Sequence, residues 1–235
     1  MHGGVMLRID GMAVVLGTFR LAADLGVAGG ARVAVMGPSG AGKSTLLAAL
    51  AGFVPLQAGR ILWGGQDIGA LPPGARPVSM LFQDGNLFPH LSVAQNVGLG
   101  LRADLRLSVA EWTEVSTALA RVGLQGMERR RPAALSGGQQ SRVALARVLL
   151  RARPLLLLDE PFAALGPALT AEMLALVGEI AMATGATLLM VTHHPADALA
   201  LTPQTILLAD GEAAAPVQTD VLLANPPAVL RRYLG

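Results

Sequence analysis

The run Gly37-Pro38-Ser39-Gly40-Ala41-Gly42-Lys43-Ser44, followed by Thr45, gathers glycine, hydroxyls and one lysine within nine residues. A glycine-rich loop lets backbone N–H groups curl around an anion. A helix opening behind the loop adds partial positive charge. The spacing is G-x-x-x-x-G-K-[ST], a phosphate loop. Lys43 is expected to bridge the β- and γ-phosphates of a nucleotide, and Ser44 Oγ to ligate Mg²⁺. The charge inventory points to the same place. Of 18 basic residues, 17 are arginine, and Lys43 is the one lysine. A compact ammonium fits a crowded phosphate pocket where a planar guanidinium does not.

Two further clusters carry chemistry. Leu155-Leu156-Leu157-Leu158-Asp159-Glu160 is an apolar run ending in two carboxylates. Ligands of open parallel sheets sit beyond the carboxyl ends of the strands. Asp159 there can hold Mg²⁺, usually through its water shell. Glu160 can accept a proton from an attacking water. The plainer alternative is a pair of strand-end acids capping a helix begun by Pro161. The third cluster, Leu135-Ser136-Gly137-Gly138-Gln139, opens a helix and makes a second anion-ready N-terminus. One nucleotide needs one phosphate loop, so a second suggests service to a nucleotide held by another copy.

The elements that must position these clusters read as an α/β pattern. Residues 33–36, 78–82, 155–158, 187–191 and 205–208 are short apolar strand candidates. Helical stretches are expected at 44–50, 108–122, 139–150 and 167–183. Strands alternating with helices indicate a parallel sheet covered on both faces. The first 30 residues and 60–68 read as an antiparallel β-layer. Residues from about 85 to 135 hold no strong strand, so a helical subdomain, roughly 85–150, is expected to be inserted in the core of a single domain spanning 1–235.

Composition narrows the class. The 235 residues contain no cysteine, which excludes disulfides and thiolate metal sites. A net charge of +2 is too small to argue for nucleic acid. Hydrophobic residues are 52% and charged ones 14%, with mean hydropathy +0.52. The longest uncharged runs, 44–59 and 85–101, are interrupted by Gly, Pro, Asn or Gln, so no transmembrane helix is expected. The opening MHGGVM lacks a basic stretch leading into an apolar one, so no signal peptide is expected either. An oily chain without an anchor suggests a large partner surface.

In combination these motifs resemble the ABC ATPase family over about residues 5 to 210. The fold implied is a RecA-like P-loop NTPase core with an antiparallel β subdomain and an inserted helical subdomain. In that family two subunits pack head to tail around two ATPs. Each ATP touches the phosphate loop of one copy and the LSGGQ run of the other. The resemblance therefore implies that Ser136, Gly137, Gly138 and Gln139 face the γ-phosphate in trans. Gln83 matches the Q-loop glutamine, which senses Mg²⁺ and the attacking water. His193, in Val191-Thr192-His193-His194, matches the switch histidine that holds the γ-phosphate. Three positions depart from the pattern. The D-loop, normally S-A-L-D, is Ala163-Ala164-Leu165-Gly166. The residue after the switch histidine, normally acidic, is His194. The adenine-stacking aromatic is replaced by Leu16, with Phe19 the nearest ring.

A narrower similarity, to the ATPase subunits of bacterial thiamine importers, runs through 76–83, 86–88, 93–101, 155–162 and 187–193. It implies a membrane permease docked on 85–101, a periplasmic solute-binding protein acting indirectly, and a place on the cytoplasmic face of the inner membrane. It also implies no C-terminal regulatory domain. Importers of iron, polyamines or other small solutes share most of these motifs. A soluble ABC ATPase acting on DNA or the ribosome is a competing class, but the coiled coil, zinc insertion or second ATPase domain usual there does not fit this chain. A non-hydrolysing subunit is a third, motivated by Gly166 and Leu16.

Overall fold

The computed structural model describes residues 4–234 apart from residue 84. Residues 1–3, the beginning of the MHGGVM opening, lie outside the described residues. The chain opens on a hairpin of β1 (Val5–Leu16) and β2 (Phe19–Ala28), closed by Gly17-Thr18 with Leu16 opposite Phe19. β3 (Arg32–Met36) leads into α1 (Lys43–Ala51). Next come β4 (Ala58–Trp63), β5 (Gln66–Asp67) and β6 (Val78–Leu81). Three helices follow: α2 (Val93–Gly98), α3 (Val109–Arg121) and α4 (Gly137–Leu150). The chain then alternates through β7 (Leu155–Asp159), α5 (Pro167–Thr184), β8 (Thr187–Val191), α6 (Pro195–Leu201) and β9 (Gln204–Ala209). It closes with β10 (Glu212–Ala213), β11 (Val217–Gln218), α7 (Thr219–Ala224) and α8 (Ala228–Leu234).

The strands run in the order β5-β4-β1-β2-β10-β9-β3-β8-β7-β6, with β11 beside β9. From β9 to β6 every neighbour is parallel. From β5 to β2 every neighbour is antiparallel. The expected antiparallel layer is thus continuous with the parallel sheet. The join is two-residue β10, parallel to β2 and antiparallel to β9. That join brings the β1–β2 turn to the phosphate loop.

Side-chain alternation explains why β7 is apolar throughout. Leu155 and Leu157 enter one core with α1 and the hairpin, while Leu156 and Leu158 enter another with α4 and α5. β8 divides the same way, Leu189 and Val191 to the first core and Leu188 and Met190 to the second. A strand buried on both faces must read as a continuous hydrophobic run. α1 lies inside the first core, with Leu46, Leu47, Ala49 and Leu50 all buried.

The helices between β6 and β7 are locally encoded. Each begins with a Ser-x-x-Glu/Gln box: Ser92 with Gln95, Ser108 with Glu111, Ser136 with Gln139. In each, serine and the third residue satisfy one another's backbone N–H, two donors that helix formation would otherwise leave open. The packed side chains Val93, Val97, Val115, Leu119 and Val143 run into the second core through Leu81, Leu156 and Leu158.

α5 spans the helix expected at 167–183. Among the described residues it is the one helix long and apolar enough, by length and composition, to cross a membrane. Its Met173, Leu174 and Val177 pack into the second core against the sheet, which accounts for the hydrophobicity of that face.

Candidate functional site

The phosphate loop leaves β3 through glycines that the surrounding chain requires. Gly37 has φ +151, and a Cβ there would overlap the Leu208 carbonyl oxygen of β9. Gly42, the N-cap of α1, has φ +107, and a Cβ there would lie 2.6 Å from Phe19 Cζ. Only glycine adopts these conformations without strain. No side chain caps α1, and its first turn carries no acid, so its leading N–H groups point outward with the positive end of the helix dipole. Lys43 is 8% exposed and donates to the Gly37 and Pro38 carbonyls, both at 2.9 Å. Burial pushes its pKa down; Glu160 and Asp159 oppose that by favouring the ammonium.

The carboxylates stand opposite. Asp159 ends β7 at 5% exposure, and its Oδ1 is buried with no hydrogen-bond partner. Burial raises its pKa above the usual carboxylate range; the Ser44 side chain and Lys43 pull the other way, while Glu160 adds to the rise. A buried carboxylate oxygen lacking a partner is costly. Beside a serine hydroxyl and a glutamate, this oxygen has the chemistry of a ligand for a hard cation.

Glu160 is held at φ +46, left-handed backbone unusual for a non-glycine residue, with its N–H donating to Val191 O at 3.2 Å. The turn swings its carboxylate out of the β7 line. Glu160 Oε2 lies 3.5 Å from His193 Nδ1, and the His193 ring lies 4.0 Å, centroid to centroid, from that of His194.

An open cleft of about 630 Å³ collects most of these groups. Ser39, Gly40, Gly42, Lys43, Ser44 and Thr45 of the phosphate loop line it together with Gln83, Glu160, Leu16 and Phe19. Gln83 sits in the turn two residues beyond β6. Leu16 is 46% exposed at the mouth, while Phe19 packs against the first core.

The Ser136–Gln139 cluster is not among the residues lining that cleft. Ser136 Oγ accepts from Gln139 N at 3.3 Å, and Gln139 Oε1 accepts from Ser136 N at 2.9 Å, so both side chains are engaged in capping α4. Gly137 is exposed, and a Cβ there would meet nothing within 4 Å. Gly138 faces Leu165 Cδ2 and Ala164 O, joining this cluster to the 163–166 loop. Gly166 begins α5 as an N-cap without a capping side chain.

Three residues escaped the sequence reading. Buried Arg76 donates to the carbonyls of Ala49 and Leu50 at 2.8 Å, Leu71 at 2.9 Å and Gly69 at 2.6 Å. It ties the end of α1 to the strand that leads to Gln83. Asn96, fully buried, accepts from Phe88 N and donates to the carbonyls of Phe88, Leu91 and Ser92, fixing the loop ahead of α2. Thr192 Oγ1 accepts from His194 N at 3.1 Å. Arg76 acts across the fold, on carbonyls 26 and 27 residues away, whereas Asn96 and Thr192 tie down their own loops.

A second, apolar cleft of about 710 Å³ lies between β6 and the helical segment. It presents Phe53, Phe82, Phe88 and Leu91, with Arg147 and Arg151, and among the described residues none that lines it is acidic. Burial lowers the pKa of both guanidiniums. Arg147 is satisfied by the carbonyls of Gly85 and Asn86.

A family model described as "ABC transporter" matches residues 22–163. The chain is 60% identical over 230 residues to a Cereibacter sphaeroides protein named "Thiamine import ATP-binding protein ThiQ", covering 98% of this chain and 100% of that one. It is 58% identical to a Ruegeria protein of the same name, with the same coverage. Among solved structures, it is similar to the dimeric post-hydrolysis state of the ATP-binding cassette MJ0796 bound to ADP and Pi. That likeness has TM-score 0.81 and 27% identity over 91% of this chain and 99% of the other. A nucleotide-free ATP-binding cassette from an ABC transporter shares the fold, with TM-score 0.85 and 22% identity over 99% and 100% of the two chains. Leu16, Gly166 and His194, the three departures from the family pattern, all lie outside residues 22–163.

Proposed function

We propose, from the premise that this chain belongs to the ABC transporter family, that it binds and hydrolyses ATP to drive thiamine import. The observation that carries the reading is the convergence of Lys43, Ser44, Gln83 and Glu160 on one cleft, with buried Asp159 and partly exposed His193 beside it. The names of relatives 60% and 58% identical over almost the whole chain support thiamine as the solute.

ATP lies with its phosphates against the 37–45 loop and its adenine on Leu16. Backbone N–H groups and Lys43 hold the β- and γ-phosphates. Ser44, Asp159 and Gln83 are the residues that would hold Mg²⁺, which when bound neutralises phosphate charge. Glu160 takes a proton from water as it attacks the γ-phosphorus, and the bond to ADP breaks. His193 holds the γ-phosphate. Catalysis here is mostly positioning and electrostatics.

Ser136, Gly137 and Gly138 of a second copy complete the site. Their separation from the cleft in this chain supports that role, as does the dimeric state of the MJ0796 cassette. Residues 85–150 move as an inserted helical subdomain. The apolar cleft beside 85–101 takes the permease, at the cytoplasmic face of the membrane. A periplasmic binding protein acts through that permease, and nucleic acid is not a partner. ATP must bind the closed pair better than the open one for this motion to follow nucleotide.

The test is uptake of labelled thiamine by cells lacking their own importer, supplied with this chain and its neighbouring permease and binding proteins. Uptake with the wild-type chain and none with Glu160→Gln is expected. Assembly and ATP hydrolysis without thiamine uptake would retain the motor and overturn the solute.

A further inference from the structure

His194 occupies a position that the ATPase pattern fills with an acid, and its imidazole is not engaged in capping α6. Its backbone is nevertheless firmly placed. Its N–H donates to Thr192 Oγ1 at 3.1 Å, and Thr192 is buried at the end of β8. Pro195 follows as the first residue of α6 and restricts the residue before it to extended backbone, which His194 adopts at φ −98, ψ 113. The Thr192 hydroxyl in turn reaches Asp197 Oδ2 in the first turn of α6, at 3.5 Å.

His193 has no such anchorage. It lies between β8 and α6, and its side chain is 39% exposed. Two contacts bear on the orientation of the ring. On one side Nδ1 faces Glu160 Oε2 at 3.5 Å; on the other lies the His194 ring, centroids 4.0 Å apart and planes tilted by 46°. With Nδ1 turned to Glu160, Nε2 is the ring nitrogen left for the γ-phosphate in the proposed reading of the site. The neighbouring ring restricts how the imidazole can turn away from that direction.

We propose that His194 is a positioning residue: its ring braces His193 against Glu160 and so aims Nε2 at the γ-phosphate. The inference rests on the ATPase reading of the site. It places ring packing at a position that the family pattern fills with an acid. A brace that narrows the orientations of a catalytic group acts on turnover rather than on nucleotide capture.

The test compares His194→Ala with His194→Phe, which keeps a flat ring. In the full chain, His194→Ala is expected to lower kcat about tenfold with KM within about twofold of wild type, and His194→Phe to restore kcat to within about threefold. A second readout does not depend on hydrolysis. The chain has 4 histidines, so their ring-proton NMR signals can be assigned by substitution. In the nucleotide-free protein, His194→Ala should shift the His193 ring signals through loss of the adjacent ring current, and His194→Phe should keep them displaced. Wild-type kcat in His194→Ala, equal losses in both variants, or His193 signals unmoved by His194→Ala would each overturn the brace. Wild-type hydrolysis by Glu160→Gln would instead overturn the reading of the site, and the NMR comparison would still decide whether the rings pack.

Discussion

The two glycine-rich helix starts of this chain answer to different demands. At 37–42 the chain itself needs glycine: Gly37 and Gly42 have positive φ, and side chains there would run into Leu208 and Phe19. At 137 the chain does not: Gly137 begins an ordinary helix, and a Cβ would meet nothing within 4 Å. A glycine that its own fold does not require is free to serve a surface that approaches from outside. The contrast between an internally enforced half-site and an outward-facing one supports a nucleotide site shared by two copies.

Substitutions can break or sharpen that contrast. The largest effect is expected at Gly37→Ala. It combines a strained φ with overlap of a backbone carbonyl, mechanisms that cost about 4 kcal/mol or more, so urea denaturation should show a large fall in stability or no folded protein. Arg76→Met comes next. It removes a donor from the carbonyls of Ala49 and Leu50 at the end of α1, leaving Ala49 O with the Gly52 N–H, and losing one member of a buried charged network costs about 3 kcal/mol. Denaturant midpoints would measure it, and a wild-type midpoint would contradict the tie between α1 and β6.

Asp159→Asn should act in the opposite direction on the nucleotide-free protein. Burial raises the Asp159 pKa in the fold, so the ionised carboxylate opposes folding above that pKa, and the opposition fades as pH falls toward the ordinary carboxylate range. The variant should melt a few degrees above wild type at neutral pH, with the gap closing in acid, yet lose cation-dependent hydrolysis. The smallest effect on stability is expected at Gly137→Ala, within about 1 kcal/mol of wild type. Hydrolysis should still fall steeply. A Gly137→Ala protein as unstable as Gly37→Ala would erase the difference between the two half-sites.

Much of this was legible because the decisive signals are local. The phosphate loop declares itself through glycines that one turn demands, and β7 through a run that only a doubly buried strand tolerates. The capping boxes are local too, but of the helices they start only α3 and α4 were expected, over 108–122 and 139–150; six-residue α2 was missed. What stayed hidden depends on contacts far apart in sequence. β10 has two residues and no pattern of its own, yet it joins the two parts of the sheet. Arg76 looks like an ordinary polar residue until the distant carbonyls it gathers are seen. At the site, the types and order of Lys43, Asp159, Glu160 and His193 were readable. The left-handed turn at Glu160 and the stacking of His194 on His193 were not, because both follow from how β7 and β8 end side by side.

The shared site is tested most directly by mixing two variants that are each inactive alone. Lys43→Ala disables the phosphate loop, and Ser136→Arg blocks the outward-facing helix start. In a mixed pair one site carries both defects and the other carries neither. Mixing equal amounts at saturating ATP should therefore restore hydrolysis to roughly a quarter of wild type, since half the pairs are mixed and each has one intact site. Absence of recovery at every mixing ratio would contradict a nucleotide site built from two copies of this chain.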